Sequence, residues 1–450
     1  MAQSLLSWGR AHKFPQTVKA LDTDGVISLD HLSEQGDNKS LIAHGMGRSY
    51  GDVALNKNGT VVKTTRRNRI IKFDREAGTL RAEAGLTLDE VLKISVPAGW
   101  FLSVTPGTKY VTLGGAVAND VHGKNHHQAG SFGHYVQKLS LIRSDRSPLI
   151  CSPKKNKKLF EMTIGGLGLT GIIEWVEIKL KPIKSAYMDV ENIPYNTLED
   201  FFTLSAESEN WPYTVAWVDC FAPKSKLGRG IFTRANFTNS GALDGHTTDS
   251  TLSWPFPTPR FCLNRLSISA FNLFYRIRPG ARFKGRMHYN PFFYPLDGIN
   301  HWNRMYGAKG FYQHQSLIPF SKANAGMAEM LHIIRKSGQG SFLAVMKING
   351  IEKSTGQMSF CKLGHGVSLA LDFANKGSKT LALLDALDKC TAKYNGRTYA
   401  AKDGRMSAEF FQESYPKWSS LEQMRDPLIN STFWKRVSAQ ITPNHENISP

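Results

Sequence analysis

The stretch HGMGRSYGD, from His44 to Asp52, packs three glycines, an arginine, a serine and a tyrosine between two apolar runs. Glycine permits positive φ and lets a ligand approach the backbone. Successive amides in such a loop form a concave anion site. A phosphate or pyrophosphate is the natural occupant. A glycine-rich tight turn fits the same residues, since short glycine motifs arise often by chance. The rest of the chain decides between them.

Two further clusters follow. TPGTKYVTLGGAVANDVHGKNHHQAGSFGHYV spans Thr105–Val136, and GGLGLTGII spans Gly165–Ile173. Three clusters in the first part of the chain point to an extended ligand held mostly by backbone. A Rossmann reading fails, because no G-x-G-x-x-G lies between a strand and a helix with an acidic residue downstream. The Walker A lysine is also missing.

The chain has 450 residues, a length for two or three domains, and a formal net charge of +19. Such a field favours anionic partners: nucleic acid, lipid headgroups or phosphorylated substrates. Cys151, Cys220, Cys262, Cys361 and Cys390 are scattered and form no C-x-x-C pair, which argues against a disulfide framework and a zinc site. MAQSLLSWGRAHKF at the start reads as no secretory signal, and no stretch has the apolar length of a membrane span. The expected compartment is the cytosol.

GTVVKT, RIIKFD and GTLRAEAG read as short strands, and GIIEWVEIKLKP (171–182) as a strand with a proline stop. Thr87 and Glu90 have capping-box spacing before an apolar helix face. From about residue 185 the texture shifts to aromatic-rich strands such as YTVAWVDC and SFLAVMKI. Helices are expected at 321–337, capped by Ser321 and ended by Gly338, and at 379–394, with Leu381, Leu384 and Leu387 inward. The pattern is α+β, with expected divisions 1–185, 186–396 and a returning C-terminal segment 397–450.

Between Ser250 and Leu296 there is no acidic residue. Arg260, Arg265, Arg276, Arg278, Arg282, Lys284 and Arg286 are interleaved there with bulky apolar residues. A solvated basic loop fits. The interleaving favours a lid or surface patch that meets anionic lipid.

The order GMGRSYGD, TPGTKYVTLGGAVANDVHGKNHHQAGSFG, GGLGLTGII and the late YAAKDGR resembles the decaprenylphosphoryl-β-D-ribose 2'-oxidase family, within the vanillyl-alcohol-oxidase (PCMH-type) FAD-binding oxidoreductases. The resemblance runs nearly end to end, from SWGR at Ser7–Arg10 to MRDP at Met424–Pro427. HGKNHH followed by GSFG is its most specific part. It implies a two-lobed fold, with FAD extended in the first lobe and the flavin facing a cap built on an antiparallel sheet. Gly45, Met46, Gly47, Arg48, Ser49 and Tyr50 would wrap the pyrophosphate and flavin edge. Gly107, Thr108, Thr112, Gly114, Gly115, His122, Gly123 and Ile172 would follow the cofactor, and Tyr399 would touch the flavin. Arg48 stands where covalently flavinylated relatives carry histidine, so the implied FAD is non-covalent.

Oxidising a secondary alcohol through flavin moves a hydride while the hydroxyl proton leaves, and a fixed cation stabilises the charge that develops. Lys402 matches the family lysine at flavin and sugar, although a lone lysine in a turn is ordinarily just exposed. His122 reads equally as proton acceptor and as cofactor contact. His126 and His127 read as structural, and no metal site is expected. The resemblance places Gln313, Gln315 and Lys347 at the substrate. Amides suit sugar hydroxyls and Lys347 suits phosphate, while solvent-facing alternation on a strand explains Gln-x-Gln equally. Three departures from the family, Ala370 for cysteine, Ser368 for asparagine and Phe293 for tyrosine, would line the sugar side. Inhibitors that attack that thiol would lack a target.

The implied function is oxidation of the 2'-OH of a polyprenyl-phosphoryl pentose to a 2'-keto sugar. This is the first half of an epimerisation that supplies an arabinan precursor for the cell envelope, with an NAD(P)H-dependent keto-sugar reductase completing it. The expected location is cytoplasmic, on the inner face of an anionic membrane. A soluble alditol or sugar-lactone oxidase shares the fold. A basic nucleic-acid binder fits the charge but not the glycine blocks or Lys402.

Overall fold

The computed structural model describes residues 5–33, 40–246 and 252–439. It is a mixed α+β fold. A parallel three-stranded sheet (Thr17–Ala20, Thr60–Lys63, Leu41–His44) carries the first glycine loop at the end of Leu41–His44. An antiparallel sheet follows, with Ile172–Pro182 between Thr79–Glu83 and Val136–Ile142. The 171–182 run is a strand to its closing proline. The Thr87–Glu90 capping box is present: the Glu90 amide donates to Thr87 Oγ1 at 3.2 Å and the Thr87 amide to Glu90 Oε2 at 2.8 Å.

From Tyr187 the chain builds an eight-stranded sheet. Phe311–Pro319, Gly366–Ala374 and Ala344–Asn349 form its antiparallel middle. Strand side chains alternate between faces. Ile318, Met346, Val367, Leu369, Leu371 and Phe373 turn to one face, where the helices Phe320–Ser337 and Ser378–Lys393 cover them in one apolar core. The opposite face carries the polar residues of the candidate site.

Both expected helices form, with two corrections. Ser321 lies inside the first helix, whose cap position is Pro319, and Gly338 ends it at φ +68°. Leu381 points outward at 36 % exposure, and Leu383 joins Leu384 and Leu387 inside. The register follows the sheet each helix covers, which a helix-wide pattern does not reveal.

The short strand Arg397–Thr398 pairs with Phe311–Pro319. The chain then crosses under the first glycine loop, and helices Ala408–Ser414 and Thr432–Val437 pack with Leu41, Ile42, Val61 and Val62. Residues 440–450 of the expected C-terminal segment lie outside the described residues. Arg436 bridges Asp52 at 2.8 Å and Asp403 at 3.3 Å, pinning this segment to the loop. Among the described residues no helix is long and apolar enough to cross a membrane.

Candidate active site

The first loop leaves the parallel sheet at His44, whose Nδ1 lies 3.0 Å from the Ala54 carbonyl oxygen. Gly47 adopts φ +63°, a left-handed turn that a side chain would strain. At Gly51 an added Cβ would lie 1.4 Å from the Asp403 carbonyl oxygen, so only glycine admits the returning C-terminal segment. Among the described residues no acceptor meets the amides of Gly45, Met46, Gly47, Arg48 or Ser49, whereas the Tyr50 amide donates to Ala401. A run of unspent amides is an anion cradle. Arg48 cannot swing into it freely: its guanidinium stacks 4.0 Å over Trp8, and Nε donates to the Tyr110 carbonyl.

In the second cluster, the amides of Gly107 and Thr108 are likewise without an acceptor, and a Cβ on Gly107 would meet nothing within 4 Å. The following residues are already employed. Thr112 caps the Leu113–Ala118 helix by accepting from the Gly115 amide at 3.1 Å, and the Gly114 amide donates to Ala84. The amides of Gly114 and Gly115 are therefore spent within the loop, while the Thr112 hydroxyl keeps its proton to donate. Asp120, wholly buried, accepts from the Gly133 amide and from the hydroxyls of Ser354 and Ser359, tying this block to the cap. The sequence reading missed Asp120, and the polar block around it carries no signal of its distant serine partners.

In the third cluster, Ile172 is 1 % exposed with its side chain in the core, so it lends nothing but backbone to a cofactor. Phe293 needs a similar correction. Its ring packs 5.1 Å from Phe101 and 5.0 Å from Tyr213, and it is 2 % exposed. It is core, not a wall for a sugar. The neighbouring Tyr294 places its hydroxyl 2.7 Å from Thr105 Oγ1.

The cap sheet brings the other candidates together. Its register sets Gln313 opposite Asp372 and Gln315 opposite Ala370, with Val345 and Lys347 beside Ala370 and Ser368. Period-2 alternation puts these residues on one face. Gln315 Nε2 lies 3.0 Å from His122 Nε2, and Lys347 Nζ lies 2.6 Å from His122 Nδ1 and 2.7 Å from the Gly123 carbonyl oxygen. The imidazole stacks on Phe360 at 5.4 Å and lies 5.4 Å from Tyr399. The Tyr399 hydroxyl donates to the Asn119 carbonyl.

Burial, then the charges of Lys347, His126 and Lys402, hold His122 well below its ordinary value, so the ring is neutral. Burial brings Lys347 down to about 8. Two hydrogen-bonding arrangements are self-consistent. A charged Lys347 donates to Nδ1, so Nε2 carries the proton and Gln315 must turn its oxygen to it. A neutral Lys347 accepts from Nδ1–H, and Nε2 accepts from the Gln315 amide. Two of the three N–H donors of a charged Lys347 are thus spent on His122 and Gly123, leaving one for a ligand.

Lys402 Nζ sits 3.8 Å over the Tyr50 ring. Burial lowers it, against the charge of Asp372. Asp372 is 1 % exposed; Oδ1 accepts from Gln313 Nε2 at 2.5 Å, and Oδ2 has no hydrogen-bond partner among the described residues. Burial raises it, against the Gln313 hydrogen bond and the Lys402 charge. The sequence reading used Asp372 only as a landmark. Its alternation with Ala370 and Ser368 was the available signal.

The unspent amides of the first two loops and the open space at Gly107 fit an extended anionic dinucleotide. A model of the FAD binding domain matches residues 31–152. The chain is 31% identical over 439 residues to the decaprenylphosphoryl-β-D-ribose oxidase of Mycolicibacterium smegmatis, covering 94% of each chain. It is 28% identical to a protein encoded 5' of mprA in Streptomyces coelicolor, covering 76% of this chain and 95% of that one. Mouse L-gulonolactone oxidase is 29% identical over 147 residues, 32% of each chain. With its cofactor loops and its full-length likeness, the chain belongs to the decaprenylphosphoryl-β-D-ribose oxidase family of FAD-dependent oxidoreductases.

Proposed function

We propose that this enzyme oxidises the 2'-hydroxyl of a polyprenyl-phosphoryl pentose to the 2'-ketone. The observation that carries the reading is the convergence of His122 with Gln313, Gln315 and Lys347 on one polar face of the cap sheet, with the charge of Lys402 acting on His122 and Asp372. The full-length likeness to the mycobacterial oxidase supports the substrate class.

When bound, FAD supplies the hydride acceptor. The amides of Gly45–Ser49, Gly107 and Thr108 would hold its phosphates, and the stacked Arg48 would add positive charge. Lys402 supplies a fixed cation in a buried site, where it opposes developing negative charge far more strongly than in water. The amides of Gln313 and Gln315 orient hydroxyls. The hydroxyl proton goes to His122 Nε2 as Nδ1–H passes its proton to neutral Lys347, so the imidazole stays neutral throughout. The ketone formed requires an NAD(P)H-dependent reductase if the sugar is to leave epimerised.

The test is anaerobic bleaching of the flavin absorbance by polyprenyl-phosphoryl ribose, polyprenyl-phosphoryl arabinose, free pentoses, alditols and sugar lactones. Fast bleaching by a polyprenyl-phosphoryl pentose alone is expected. Equal bleaching by free alditol or lactone would replace this substrate with a soluble one.

A further inference from the structure

The helix Arg265–Ile277 is mounted with its apolar stripe outward. Leu266, Ala270, Leu273 and Ile277 recur at i, i+4, i+7 and i+11, the spacing of a single helix face. In a surface helix that stripe ordinarily meets the core. Here Leu266 is 82 % exposed, Leu273 54 % and Ile277 69 %, with Phe274 beside them and Phe261 on the preceding turn. The inward side is instead anchored largely by polar groups. Asn272, buried, donates to Asp219 at 2.7 Å, and Arg276 donates to the carbonyls of Tyr195 and Gly230 at 2.9 and 3.0 Å. Ile268 and Phe271, the latter against Phe342, supply the inward apolar contacts.

The charge around the stripe has one sign. From Leu252 to Leu296 the chain has no acidic residue. Lys284 pairs with Glu191, but Arg260, Arg265, Arg278, Arg282 and Arg286 have no acidic partner among the described residues. A contiguous apolar stripe rimmed by unpaired cations matches an interfacial helix, whose apolar side sinks into the headgroup–acyl boundary of an anionic leaflet.

We infer that the outward stripe of the Arg265–Ile277 helix, with Phe261 and its flanking arginines, seats this enzyme on an anionic lipid bilayer. The placement rests on the lipid-linked reading of the substrate for its purpose: it would bring the enzyme to a substrate whose polyprenyl tail stays in the bilayer. The binding itself is measured without substrate.

The experiment is flotation of the FAD-loaded enzyme with vesicles of phosphatidylcholine alone or with phosphatidylglycerol added, at low and high salt. Two variants are compared, Leu266→Ser with Leu273→Ser and Ile277→Ser, and Arg260→Gln with Arg265→Gln and Arg282→Gln. These side chains face outward, and retained flavin absorbance confirms folding. Wild type is expected to float with anionic vesicles at low salt and to be released at high salt. Each variant should bind roughly tenfold more weakly or less tightly still. Equal binding to neutral vesicles, or unchanged binding by either variant, overturns the inference. A dimer that the serine variant dissociates, with no vesicle binding by wild type, would overturn it in favour of a contact between copies. Bleaching by a short-chain, water-soluble polyprenyl-phosphoryl pentose is read separately, so loss of membrane binding and loss of the substrate reading are distinguished.

Discussion

Lys347 Nζ lies 2.6 Å from Nδ1 of His122, while Gln315 occupies Nε2 at 3.0 Å. Both ring nitrogens are held, so the imidazole reaches a substrate hydroxyl only by exchanging one partner. A neutral Lys347 makes that exchange productive, because it receives the proton from Nδ1.

The pH dependence follows with a definite sign. Burial lowers Lys347 to about 8. Its neutral form, the one that accepts the proton, grows as pH rises through that value. Single-turnover flavin reduction should therefore rise with pH on the acid side of this value. Lys347→Arg keeps a permanent cation, so the rate should be low throughout and the acid limb absent. An unchanged profile in that variant would remove Lys347 from the proton path.

Lys402 acts in the opposite sense. Burial lowers it to about 8, and its charge is lost as pH rises through that value, so the rate should fall on the alkaline side and the profile should be a narrow bell near 8. Lys402→Ala should keep its FAD and reduce it on the order of 100-fold or more slowly. Asp372→Asn removes the carboxylate that supports the Lys402 charge, and its alkaline limb should move to lower pH. Stopped-flow absorbance reads all three; near-normal reduction by Lys402→Ala would make that lysine structural.

The FAD should be dissociable. Arg48 is stacked on Trp8 and has no chemistry for attaching a flavin, while His44 is tied to the Ala54 carbonyl. Acid precipitation should release intact FAD into the supernatant. Flavin retained in the washed pellet would demonstrate a covalent bond.

Arg436→Ala tests the joint between the first loop and the C-terminal segment. It leaves Asp52, 2 % exposed, without its ion-pair partner, and Asp403, equally buried, with only Arg405 at 3.9 Å. Stranding buried carboxylates costs about 3–5 kcal/mol, so thermal unfolding should occur several degrees lower. A Tm within a degree of wild type would show that the carboxylates protonate or find water at little cost.

What the amino-acid sequence determined by itself is local backbone chemistry and family. The glycine loops at His44–Asp52 and Thr105–Val136, the capped helix after Thr87 and the strand closing at Pro182 are written in neighbouring residues, because turn, cap and strand preferences act over a few positions. Which face each side chain takes was decided only in three dimensions. Phe293 and Ile172 went to the core, Leu381 turned to solvent, and Asp372 came to lie behind Gln313 through a register between strands far apart in the chain. The Arg265–Ile277 stripe carries the spacing of a core-facing helix, yet Asn272 and Arg276 turn it outward by binding partners on distant strands. Periodicity specifies that a helix has an apolar face; only the polar contacts made on folding select what that face meets.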